Sequence, residues 1–152
     1  MGPERNRRFG AAAVAVITLL VEATAVAGCG GDSAAVKNPA PYKLTPTDDG
    51  LNIVVLTPVA LERLMIETAP VTEQTLNGTV YTTVPYAALI YDNDGGTWVY
   101  LNPEPLTYVR AAVTVERIEG DTVYLSDGPK PGSQVAVTSV AELYGTDTGV
   151  GK

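Results

Sequence analysis

Residues 107–118 read TYVRAAVTVERI. Val109, Ala111, Val113 and Val115 fall on one face, and Arg110, Thr114 and Glu116 on the other. A hydrophobic period of two over this length predicts a β-strand with one face buried and one in water. Glu119-Gly120-Asp121 turns the chain, and TVYLS at 122–126 returns as a strand with Val123 and Leu125 inward. DGPKPG at 127–132 is a second turn, followed by SQVAVTS at 133–139 with Val135 and Val137 inward. VAELYG at 140–145 has room for one helical turn.

The same pattern extends upstream. AALIYD and TWVYL flank Asn93-Asp94-Gly95-Gly96, a strong hairpin signal. GTVYTTVP at 78–85 is a strand ended by Pro85, and LNIVVLT at 51–57 is a β-branched strand. Between them Thr57 and Pro58 open a short helix as N-cap and first helical residue. Leu61, Leu64 and Met65 form its apolar stripe, with Glu62 and Arg63 opposite, and Pro70 forbids its continuation. Trp98, Leu89 and Ile90 join the inward valines as core. The expectation is a mainly β fold: one small β-domain, meander or barrel, with one short helix, over residues 51–146. Residues 147–152 (DTGVGK) read as a disordered tail.

The N-terminal part has a different character. Arg5, Arg7 and Arg8 precede an apolar run from Ala11 to Val26, then small residues and the chain's only cysteine, Cys29. This is the layout of a secretory signal, and the run is short for a membrane-spanning helix. Val26, Ala27 and Gly28 before Cys29 resemble a bacterial lipobox. The resemblance implies cleavage before Cys29, with the thiol and the new amino group acylated. Residues 1–28 are then signal peptide and Cys29 the lipid attachment point. Residues 30–50, GGDSAAVKNPAPYKLTPTDDG, carry no apolar period and read with Cys29 as a flexible tether over 29–50. Cleavage leaves 124 residues and moves the net charge from −7 to about −8.

Histidine is absent, which removes the usual neutral-pH general base and the commonest metal ligand. An acidic chain without a basic stripe argues against nucleic-acid binding. Asp92, Asn93 and Asp94 lack the spacing and distal glutamate of a calcium loop and read as a solvated turn. Ser126, Ser133 and Ser139 have no histidine partner. No cofactor motif and no metal motif is present, and the chain reads as non-catalytic. Tyr91, Tyr100 and Tyr124 lie on neighbouring β segments and read as a partner interface, an aromatic composition common at such surfaces, or else as core.

Two stretches resemble the periplasmic adaptor subunits, or membrane fusion proteins, of RND and ABC efflux pumps, the haemolysin-D-like family. The first is LTPVALERLMIETAPV at 56–71, similar to the family's short helix leading into a strand, with Ile66, Thr68 and Val71 at the matching positions. The second runs over 84–143. VPYAALIYDNDGGTWVYL resembles the family's Val-Pro strand and glycine hairpin, YVRAAVTV its next strand, and LSDGPKPGSQVAV its closing turn and strand. In the family a lipoyl domain, an α-helical hairpin and a β-barrel separate these stretches. Here about a dozen residues, 72–83, bridge them, and LNGTV reads as a splice joint. The resemblance implies the membrane-proximal module alone: a lipid-anchored accessory protein outside the cytoplasmic membrane, attached to lipid through Cys29 and partnered by an RND- or ABC-type transporter. The second reading is an orphan cell-envelope lipoprotein that binds a ligand or the cell wall.

Overall fold

The computed structural model describes residues 40–149. Cys29, Val26, Ala27 and Gly28 lie outside them. Eleven strands form two antiparallel sheets, as expected for a mainly β chain. In chain order they are β1 (Tyr42–Pro46), β2 (Asn52–Leu56), β3 (Thr68–Pro70), β4 (Thr72–Leu76), β5 (Thr79–Pro85), β6 (Ile90–Tyr91), β7 (Thr97–Glu104), β8 (Thr107–Ala112), β9 (Thr114–Glu119), β10 (Thr122–Asp127) and β11 (Gln134–Ala136). Among the described residues the α-helices are α1 (Pro58–Leu64), the expected short helix, and α2 (Val140–Thr148), which extends the single turn expected at 140–145.

One sheet runs β1-β2-β8-β7-β11-β3, with β6 paired to the start of β7, and the other runs β4-β5-β10-β9. Val71 is the only residue between β3 and β4, and Val113 the only one between β8 and β9. The chain crosses from sheet to sheet at these two valines, so the hydrogen-bonded order closes into a ring of six strands. Both corners stay bonded: Val71 N–H donates to Ser133 O at 2.8 Å and Val113 N–H to Thr97 O at 2.9 Å. The expected single strand over 107–118 is therefore two, bent at Val113. Every strand of the ring sends a residue inward: Val71, Val84, Val99, Val113, Val123, Leu125 and Val135 form one buried cluster with Ala88.

The opposite face of the larger sheet is also covered. Val54, Leu56, Tyr100, Tyr108 and Ala136 pack against Ala60 of α1 and Leu143 of α2. Tyr108 and Arg110, on the face of β8 expected in water, are buried and half-buried, because this strand lies between the ring interior and the helices. α1 is built as its sequence dictates. The Thr57 side chain accepts from Ala60 N–H at 3.2 Å, and Pro58 opens the helix. Met65 departs from its expected stripe. It is the left-handed C-cap, φ 49, and is 75% exposed.

The folded unit is longer than expected at both ends. β1 lies within the stretch read as tether and pairs in register with β2, Tyr42 with Leu56 through Pro46 with Asn52. Its alternation is short and broken by prolines, which hid it. At the other end α2 runs to Thr148, and Asp147, placed in the tail, is 3% exposed. The stretch read as a splice joint is a two-residue hairpin turn. Asn77 (φ 52) and Gly78 (φ 83) join β4 to β5, the left-handed pair that a type I′ turn requires.

Candidate functional site

The three tyrosines named from sequence do not form one surface. Tyr91 is exposed, Tyr100 is fully buried under α2, and Tyr124 is 7% exposed. Alternation explains the split. Val99 points into the ring, so Tyr100 points to the helices. Tyr124 sits between the inward Val123 and Leu125, on the outer face of the smaller sheet. There it meets Tyr81 edge to face, centroids 6.2 Å apart, and its hydroxyl donates to Gln74 Oε1 at 3.2 Å.

The densest polar constellation gathers around Asp147, which sequence reading assigned to the tail. Its side chain is fully buried. Tyr100 OH donates to Oδ2 at 2.8 Å, Asn52 Nδ2 donates to Oδ1 at 3.1 Å, and Arg110 Nε stands 3.1 Å from Oδ2. Asn52 also donates to the Asp147 backbone carbonyl at 3.1 Å. The Arg110 contact is an ion pair without an aligned hydrogen bond at Nε. The guanidinium lies over the Trp98 ring at 4.7 Å and the Tyr144 ring at 5.6 Å, an arrangement that favours a cation. Burial, then the bond to the Asp147 carboxylate, pushes the Tyr100 phenol far above its ordinary range. Leu143 and Asp147 are four residues apart, hence on one helical face. That spacing was the available signal for a second turn of α2.

Trp98 joins this cluster to the β6–β7 hairpin. Its indole N–H donates to Asp92 Oδ2 at 2.7 Å, while Asp92 Oδ1 accepts from Gly96 N–H at 2.6 Å and Asp94 N–H at 3.0 Å. These bonds, the indole first, hold the Asp92 carboxyl below its usual value. A Cβ on Gly96 would stand 2.7 Å from Asp92 Oδ2 and 2.9 Å from Trp98 Nε1, so this turn admits only glycine without a shift. Asp92 therefore organises a turn.

Chemically, Asp147 is enclosed and fully engaged, so it fixes α2 and reaches no substrate. Among the described residues no three His, Cys, Asp or Glu side chains come together to hold a metal ion. The surface carries shallow grooves. One of about 310 Å³ is lined by Leu76, Asn77, Thr79, Tyr81, Glu116 and Arg117, and another of about 460 Å³ runs past Trp98 and Ala112 at the Val113 corner.

No family model matches the chain, and no curated protein matches it. Among solved structures it is similar to the NMR structure of a 180-residue stretch with the N-terminal metal-binding site and the membrane-proximal domain of SilB from Cupriavidus metallidurans CH34. The TM-score is 0.44 and the identity 19%, over 63% of this chain. The chain spans 61% of that structure's length.

Proposed function

We propose that this protein is a lipid-anchored, non-catalytic adaptor-like module of an RND- or ABC-type export system, held on the outer face of the cytoplasmic membrane by acylated Cys29. The observation that carries this reading is how the two resembling stretches meet. The first supplies α1 and β3. The second supplies the residues from Val84 at the end of β5 through β6–β11. Together with β4 and β5, most of which come from the 72–83 bridge, they form one ring, and its interior valines are drawn from both stretches. The Asn77-Gly78 turn closes the chain where the family carries its other domains. The ring that closes without them has the surface of a docking unit: shallow grooves, no enclosed cavity among those described, and a buried polar cluster at Asp147 committed to internal bonds.

Two experiments test it. Clickable fatty acid should label the wild type and not Cys29→Ala; equal label in both removes the anchor. Photo-crosslinkers belong at exposed positions, Tyr91 and Tyr86, because Tyr100 and Tyr124 are buried. They should trap a large membrane protein in cells. Trapping only peptidoglycan would favour the orphan cell-envelope lipoprotein.

A further inference from the structure

We propose that the outer face of α1 is a contact with the lipid bilayer itself, with Val59 and Met65 as the side chains that enter the headgroup region. This rests on Cys29 being the lipid anchor. Val59 is 57% and Met65 75% exposed, the latter the most exposed large hydrophobic among the described residues. Ala60, Leu61 and Leu64 pack inward, which leaves Val59, Glu62 and Arg63 on the outer side. Met65 holds φ 49, where glycine or asparagine is favoured. Its described hydrogen bonds to the fold are made by its backbone: its N–H donates to Leu61 O at 2.9 Å, and its carbonyl accepts from Thr138 Oγ1 at 2.7 Å. The strained backbone thus presents an apolar side chain to solvent without using it for packing.

The occupant follows from where the chain enters. Thr57, the N-cap of α1, donates its N–H to Pro41 O at 2.9 Å, and Ala40 and Pro41 are exposed beside it. Because β1 takes up residues 42–46, only residues 30–39 separate Cys29 from this point. Ten residues span at most about 35 Å whatever their conformation. The point where the chain enters, beside α1, therefore stays within about 35 Å of the acylated cysteine, which makes the bilayer the surface most available to this face. Glu62 and Arg63 balance each other, leaving this face without the acidity of the chain at large. Tethering raises the local concentration of membrane, so two side chains suffice where the free domain would not bind.

The test uses the full acylated protein in vesicles of phosphatidylethanolamine and phosphatidylglycerol. Cys29 is the sole cysteine, so acylation leaves V59C or M65C as a unique thiol for an environment-sensitive fluorophore. Emission at both positions should shift to the blue and escape quenching by aqueous iodide, whereas the same label at T114C stays quenched. Vesicle flotation reports the anchor separately. Flotation with free quenching at 59 and 65 overturns the bilayer contact and leaves the anchor standing. Protection that needs a co-reconstituted membrane protein assigns the face to that protein and also overturns it. Failure to float removes the anchor, and this contact with it.

Discussion

The ring interior is aliphatic throughout, while the layer beneath the helices is built on Tyr100 and Tyr108 and tied by the Asp147–Arg110 pair. The first layer needs only apolar volume at alternate positions, so it tolerates exchange among similar side chains. The second must satisfy four polar partners at once, which ties one helix to one place. α2 needs such a tie. Gly145, Thr146 and Thr148 are weak helix formers, and Ser139 gives no side-chain cap. A carboxylate in the last turn also opposes the helix dipole. Leu143 supplies apolar contact and Arg110 offsets the charge.

The largest effect should come from putting a charge into the aliphatic layer. Val113→Asp places an unpaired carboxylate at the sheet corner and should cost about 4–7 kcal/mol, comparable to the whole stability of a small domain. Thr114→Asp, one residue on and exposed, should change stability by less than about 0.5 kcal/mol. Urea midpoints of the two variants measure the contrast, and equal losses would mean that the corner is not at Val113.

In the polar layer, Asp147→Ala strands the Arg110 cation with 13% of its side chain exposed and should cost about 3–5 kcal/mol. The double change Arg110→Met with Asp147→Leu should cost far less, since it removes both charges together. Trp98, the chain's single tryptophan, lies against Arg110, so its emission should move in either variant. If the double change is as costly as the single, the pair is not the tie.

This contrast also explains what the sequence made legible. Alternation marked Val113, Val123, Leu125 and Val135 because each obeys a rule local to its strand. The bend at Val113 was invisible, since crossing between sheets leaves the alternation unbroken. Arg110 and Asp147 looked like a solvated face and a tail residue, because their burial depends on partners 37 positions apart. Tyr100 was left open between interface and core, because alternation says that it faces away from the inward Val99 but not that helices cover that side. Thr57-Pro58 and Asn93–Gly96 were readable because caps and turns are settled by neighbours.

Removing one hydrogen bond from the polar layer gives a smaller effect with a pH signature. Tyr100→Phe takes the donor from Asp147 Oδ2 and should cost about 1–2 kcal/mol near neutral pH. The folded phenol ionises well above its ordinary value of about 10. Its stabilisation is therefore complete below pH 10 and declines above it, where the unfolded chain binds fewer protons. Tyr108, also raised by burial, keeps part of that slope. Stability measured from pH 8 to 11 should fall less steeply in Tyr100→Phe than in the wild type. Parallel profiles would show that this phenol is not held protonated.

The smallest effect should have the opposite sign. Met65→Gly relieves a left-handed backbone that costs a non-glycine residue about 1–2 kcal/mol. Part of that gain is lost to the greater freedom of glycine in the unfolded chain. The net should be a stabilisation of about 0.5–1 kcal/mol, seen as a higher urea midpoint with an unchanged slope. Because 75% of the side chain is in solvent, little packing is lost. In the acylated protein on vesicles, the same change should increase iodide quenching of a label at position 59. Greater stability together with weaker protection would mean that methionine at this position serves the membrane rather than the fold. A loss of stability would show that Met65 packs against the domain after all, and would return it to the helix stripe that its spacing from Leu61 suggests.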